Sequence, residues 1–163
     1  MCIVKVVNEK YEKENCLKNL INYAIDSSHC QCGLYGATGM KVGSVMEMAE
    51  SMKSVKKDFK KQDRRQLLHV IVSFDDVAES WVTPQIAYEI GYRFAATYLV
   101  GKQVVFGVHD NEDNVHIHFV INSVCYDTGL KYGIAFGEPE VMRHRIKDIM
   151  ENYYLKRGIE ILE

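Results

Sequence analysis

Proline occurs only twice in 163 residues, and no proline- or serine-rich stretch, low-complexity segment or internal repeat interrupts the chain. A linker-divided array, a solenoid and a collagen-like chain are thereby excluded, and one domain over residues 1–163 is expected. No run of 18 apolar residues exists, so no membrane insertion is expected. No basic leader followed by an apolar core opens the chain; Met1 to Val7 is short, apolar and β-branched and reads as a first strand. The cysteines number five, an odd count, with four in the first 32 residues. Reduced thiols and a cytoplasmic location fit that pattern better than a disulfide framework. Net charge is also scarce: 20 Lys+Arg against 22 Asp+Glu leave −2, which by itself speaks against a polyanionic partner.

The distribution of charge says otherwise. Between Lys53 and Arg65 lie seven basic residues (Lys53, Lys56, Lys57, Lys60, Lys61, Arg64 and Arg65) and only Asp58 and Asp63 as acids, a local +5 in a chain whose remainder is net −7. Such a run is either a solvated helix face or an electrostatic footprint for phosphates. If the latter, oligonucleotide binding is salt-sensitive with a small slope.

Strand and helix patterns alternate along the sequence. Glu12 to Asp26 carries a helical stripe through Cys16, Leu17, Leu20, Ile21 and Ala24. Cys30 to Gly43 reads as a glycine-rich loop holding a short strand at Leu34 to Gly36, and Ser44 caps a second helix that runs into the basic stretch. LLHVIVSF, Leu67 to Phe74, is a central strand. Thr83-Pro84 starts a third helix, which Gly101 ends. Gln103 to His109 and Val115 to Cys125 form a hairpin across five polar residues, Glu138 to Arg157 forms the last helix, and Ile159 to Leu162 is read as an edge strand. The expected fold class is α+β: an antiparallel sheet of about five strands with helices covering one face.

Alternation along Val115 to Cys125 puts His116, His118, Val120 and Asn122 on one face. Two imidazoles about 7 Å apart along a strand then point the same way, and His109, at the end of the partner strand, falls opposite or nearly opposite His116. Three neutral imidazoles can hold a divalent metal and leave positions open for phosphate oxygens and water. His69 alternates with Ile71 and Ser73 and faces either the same site or a hydrogen-bonded sheet environment. The run His29-Cys30-Gln31-Cys32 offers three potential ligands but no matching second pair, so free thiols are expected there rather than zinc.

The segment HDNEDNVHIHFVIN, His109 to Asn122, resembles the third motif of the relaxases that start conjugative transfer or mobilisation of plasmids, members of the His-hydrophobic-His endonucleases. RQLLHVIVSF, TPQIAYEIGYRFAATYL, DTGLKYG and the closing YYLKRGIEIL extend the resemblance over nearly the whole chain. LKNLINYAID, Leu17 to Asp26, matches the first motif and implies Tyr23 as nucleophile, with Tyr35 the runner-up. The family often carries an acid two positions after the first histidine, where this chain has Asn111. A carboxylate behind the histidines would then come from Asp110, Glu112, Asp113, Asp26, Asp75 or Asp76; His69 is a further candidate, and Asn122 either orients a ligand or touches the phosphate or makes a structural hydrogen bond.

The resemblance implies a relaxase-like fold and a site- and strand-specific cut of single-stranded DNA at a transfer origin, through a 5′-phosphotyrosine intermediate with Mg²⁺ or Mn²⁺ on His109, His116 and His118, and accessory relaxosome proteins as further partners. A phenol is ordinarily only about 0.1% ionised at neutral pH, so attack needs a base or electrostatic help. Two readings compete: a relaxase-like module that binds single-stranded DNA without cutting it, and a rolling-circle replication initiator. In the latter the histidine motif commonly precedes the tyrosine, the reverse of the order here. A two-histidine phosphoesterase would need separated His-x-Thr/Ser motifs, which are missing.

Overall fold

A computed structural model describes residues 2–75 and 79–157. In chain order the elements are β1 (Ile3–Val6), α1 (Cys16–Ile25), β2 (Tyr35–Thr38), α2 (Val45–Asp58), β3 (Leu67–Ser73), α3 (Pro84–Thr97), β4 (Val104–His109), β5 (His116–Asn122) and α4 (Glu138–Arg157). The strands form one sheet in the order β1-β3-β5-β4-β2, and every neighbouring pair is antiparallel. The α+β class is as the sequence indicated.

The helices, however, cover both faces. Period-two alternation sends Val70, Val72, Phe106, Val108, Ile117, Phe119 and Ile121 to one side, where Ala87, Ile90 and Phe94 of α3 and Met142 and Ile146 of α4 bury them. The other side also carries apolar residues, Leu67, Val105 and Val120, which pack under Leu17, Ile21 and Ala24 of α1 and Met48, Ala49 and Met52 of α2. A sheet apolar on both sides needs cover on both. The histidine face is the second of these, so the cover that α1 and α2 give it is partial by composition.

Local signals account for the helix starts. Ser44 accepts from the Glu47 amide at 3.1 Å and Thr83 from the Ile86 amide at 3.2 Å. α1 begins later than its stripe suggests, because Tyr11 sits at φ +49° and its carbonyl accepts from the Gln66 amide at 2.8 Å, which holds 11–15 off the helix. β5 stops at Asn122; beyond it Val124 makes an isolated bridge to Lys131. The short strand near Leu34 lies at Tyr35–Thr38, in register with Val104–Gly107. The expected edge strand Ile159 to Leu162 lies outside the described residues. Among the described residues no helix is long and apolar enough to cross a membrane.

Candidate active site

The β4–β5 register sets His109 directly opposite His116 and Gly107 opposite His118. The ring centroids of His109 and His118 are 4.1 Å apart, and His116 lies 5.2 Å from each. One ring nitrogen from each of the three can be chosen so that all lie within 4.8 Å of one another.

The remaining nitrogens are occupied. His109 Nε2–H donates to the Ala24 carbonyl at 3.1 Å, and His116 Nδ1–H donates to the Asn114 carbonyl at 3.1 Å. His118 Nδ1 lies 2.8 Å from His69 Nε2, and His69 Nδ1 lies 3.0 Å from the Tyr11 hydroxyl. In the tautomer that leaves a lone pair at His118 Nε2, His118 donates to His69 and His69 donates to Tyr11. His109 Nδ1 and His118 Nε2 are then buried acceptors without a hydrogen-bond partner. Orphaned imidazole lone pairs converging from adjacent strands fit a divalent cation.

Burial also keeps the rings of His69, His109 and His118 neutral. Desolvation, reinforced by His109, holds His118 down at about 2 and His69 at about 4. Desolvation lowers His109 too, against the opposing pull of the Ala24 carbonyl. Lone pairs are therefore available without expelling a proton.

Tyr23 reaches this cluster because α1 ends over a glycine. A Cβ on Gly107 would lie 1.8 Å from the Ala24 carbonyl oxygen, so only glycine lets the helix end descend onto β4. The Tyr23 ring then packs 4.6, 5.1 and 5.2 Å from the rings of His29, His109 and His118, centroid to centroid, while the residue stays 38% exposed to solvent.

His29 is the residue that the sequence reading missed, having weighed it only as a zinc ligand. It stacks on His109 at 5.2 Å, and its Nδ1–H donates to the Asp26 carboxylate, 3.0 Å from both oxygens. The Ser28 hydroxyl, and then His29, hold Asp26 down at about 2. Asp26 therefore faces His29 as an anion and fixes the tautomer with a free Nε2. A Tyr-x₅-His spacing with an acid between was the available signal.

Other candidates fall elsewhere. Asp110 accepts from the Gln31 and Cys32 amides at 2.7 and 3.1 Å, anchoring the turn that carries His29 rather than any histidine ring. Glu112, Asp113 and Asp75 are exposed, and Asp76 lies outside the described residues. Tyr35 pairs with Gly107 on the edge strand; the histidine rings are met by Tyr23 instead. Cys30 Sγ faces the Leu34 carbonyl at 3.2 Å and Cys32 is exposed.

Asn122 shares the histidine face but is fully buried. Its Nδ2 donates to the Met52 carbonyl at 3.2 Å and to Gln103 Oε1 at 2.9 Å, and its Oδ1 accepts from Lys56. Of the two readings of Asn122 the structural hydrogen bond is the one the fold makes, since it ties α2 to the sheet and is sealed from a phosphate; the expectation for Lys56 changes, because at 1% exposed it is an interior residue and not a DNA contact. Hydrophobic neighbours on α2 and the side amide of β5 drew it in. Lys61 donates to the Gly129 carbonyl and Arg65 to the Glu9 carbonyl, while Lys57, Lys60 and Arg64 are exposed. The basic segment ends near Asn122, four residues or about 13 Å along β5 from His118.

A family model described as relaxase, MobA/VirD2-like, nuclease domain matches residues 23–155, from the tyrosine through all three histidines. Two curated relatives from Staphylococcus aureus, each named Protein rlx, are 31% identical over 103 residues and 33% identical over 113 residues. Those alignments take in 63% and 69% of this chain but 30% and 32% of the relatives. The chain spans about a third of the length of the curated relatives it matches.

Proposed function

This chain belongs to the MobA/VirD2-like relaxase nuclease-domain family, and from that premise we propose that it nicks and rejoins one strand of DNA at a transfer origin, with Tyr23 as nucleophile. The observation that carries the proposal is the packing of the Tyr23 ring against His29, His109 and His118 at an exposed helix end. His109, His116 and His118 would hold a divalent metal. All-imidazole ligation suits Mn²⁺ better than Mg²⁺, with phosphate and water as the remaining ligands. When bound, the metal neutralises charge on a non-bridging phosphate oxygen.

The chain's own groups do the rest. Asp26 holds His29 so that its free Nε2 takes the phenolic proton. The tyrosyl oxygen bonds to phosphorus as the bond from phosphorus to the 3′ oxygen breaks, and that oxygen takes a proton from water. One phosphodiester is exchanged for another, so the reverse attack by a 3′-hydroxyl reseals the strand. His69, braced by Tyr11, fixes the His118 ring. Lys57, Lys60 and Arg64 supply phosphate contacts toward the Asn122 end of β5, away from the histidines. Within the reading, residues 1–163 act as one nuclease domain in the cytoplasm, with accessory transfer proteins as further partners.

Single-stranded oligonucleotides tiled across the DNA element that encodes the chain provide the test. With Mn²⁺, the wild-type protein is expected to give a covalent protein–DNA band in a denaturing gel, and Tyr23→Phe to give none while still binding the same oligonucleotide. A band of wild-type intensity from Tyr23→Phe overturns the nucleophile assignment. Binding by the wild type without any band in Mg²⁺ or Mn²⁺ favours a non-catalytic binding module.

A further inference from the structure

A groove of about 670 Å³ opens beside the nucleophile, between the segment after β1 and the outer face of α1. Tyr23, Tyr11 and His69 line it together with Asn15, Asn19 and Leu20. Its size falls in the range of small-ligand clefts, about 300–1,000 Å³. Two lysines and two glutamates on the lining cancel in charge, so the groove is not built for a phosphate. The rings of Tyr11 and Tyr23, the aliphatic Val7 and Leu20 and the side-chain amides of Asn15 and Asn19 instead match the face and edges of an unpaired base.

Tyr11 belongs to two structures at once. Its backbone is in the left-handed region, φ +49°, where a bulky side chain is strained. The Gln66 amide and Cys16 Sγ, both on its carbonyl, hold it there. The result is a ring that lines the groove and a hydroxyl that ends the chain Tyr11–His69–His118, with links of 3.0 and 2.8 Å. Any occupant that stacks on the ring also fixes the hydroxyl, and through it the orientation of His118.

We propose that this groove seats an unpaired nucleotide next to the scissile phosphate, and that Tyr11 couples its presence to the metal-holding imidazole through His69, so that single-stranded DNA and metal bind cooperatively. The inference rests on the DNA-nicking reading for the identity of the occupant. By linkage the two ligands strengthen each other by one common factor. Tyr11 is a positioning residue in this scheme.

The test measures that factor. Fluorescence anisotropy with a labelled 12-nucleotide oligothymidylate gives Kd in EDTA and in saturating Mn²⁺, and the ratio is the coupling. The wild type is expected to bind several-fold tighter with Mn²⁺. Tyr11→Phe, which keeps the ring, should retain its Kd in EDTA and lose at least threefold of the ratio; the part due to direct phosphate contact with the metal remains. Asn19→Trp, at an exposed helix position, fills the groove without touching the core. It should weaken oligothymidylate about tenfold in EDTA and leave the Mn²⁺ affinity of the DNA-free protein, measured calorimetrically, unchanged. Equal coupling ratios in wild type and Tyr11→Phe, or an undiminished DNA affinity in Asn19→Trp, overturn the proposal. Neither measurement involves cleavage, so its failure leaves the nucleophile assignment standing, and failure of that assignment leaves the coupling measurable.

Discussion

Lys56→Met separates the two roles a basic residue can have on this fold. Lys56 is 1% exposed and its ammonium donates to Asn122 Oδ1. Desolvation, aided by Lys131, pulls its pKa from 10.5 to about 7. The unfolded chain thus keeps a proton that the native state has lost between pH 7 and 10.5. Stability from this group is complete above 10.5 and is lost as pH falls toward 7. The full swing is about 5 kcal/mol, of which about 2 kcal/mol falls between pH 7 and 9. Methionine fills the same volume without a charge and leaves Asn122 Oδ1 unpaired, a cost of about 1–3 kcal/mol. Urea denaturation at the two pH values is the assay. The wild type should gain about 2 kcal/mol relative to Lys56→Met on going from pH 7 to 9, and the two proteins should share the same oligonucleotide affinity and salt slope. A pH-independent difference between them, or a loss of DNA affinity in Lys56→Met as large as in Lys57→Met, refutes the burial argument.

The site makes three further predictions. His69→Phe removes the acceptor behind His118 and should weaken Mn²⁺ binding by about 10- to 100-fold in calorimetry; His69→Gln, which keeps an acceptor, should recover part of it, and unchanged affinity in both would remove His69 from the site. In metal-free protein, His69 and His118 have folded pKa values near 4 and 2 against 6.5 unfolded, so their contribution is present above 6.5 and lost on acidification. Denaturation at pH 6.5 and 4.5 should show a loss of about 2 kcal/mol per imidazole, reduced in His118→Gln; equal acid sensitivity in that variant would contradict it. Gly107→Ala sets a Cβ 1.8 Å from the Ala24 carbonyl oxygen and should cost about 3 kcal/mol and the covalent adduct. Gly133→Ala, which meets nothing within 4 Å, is the control and should match the wild type.

Much of this site was legible before any fold was known. The alternation in VHIHFVIN fixes which side chains share a face of β5, because period two is a property of the extended backbone itself. A five-residue turn then leaves His109 little choice but to meet His116, and the β-branched runs and the caps at Ser44 and Thr83 are equally local. Tyr23 is one of ten tyrosines, and only its resemblance to a motif picked it out. What the chain could not disclose depends on contacts between elements distant in sequence. Gly107 is one glycine among several until α1 comes down over it. His29 looked like part of a cysteine cluster until the turn after α1 laid it on His109, with Asp26 behind it.

Lys56 and Asn122 show the same limit with the opposite sign. In sequence one is a member of a +5 run and the other a polar residue in line with two histidines; in the fold they find each other across the α2–β5 contact and leave the surface together. Sequence alone determined the three imidazoles, their shared face and the antiparallel hairpin that joins them, since periodicity and turn length act over a few residues. Tertiary structure alone decided which charges stay in solvent, which imidazole stands behind His118 and what brings a phenol to the cluster, since burial and hydrogen-bond partnership are set by whichever element packs on top.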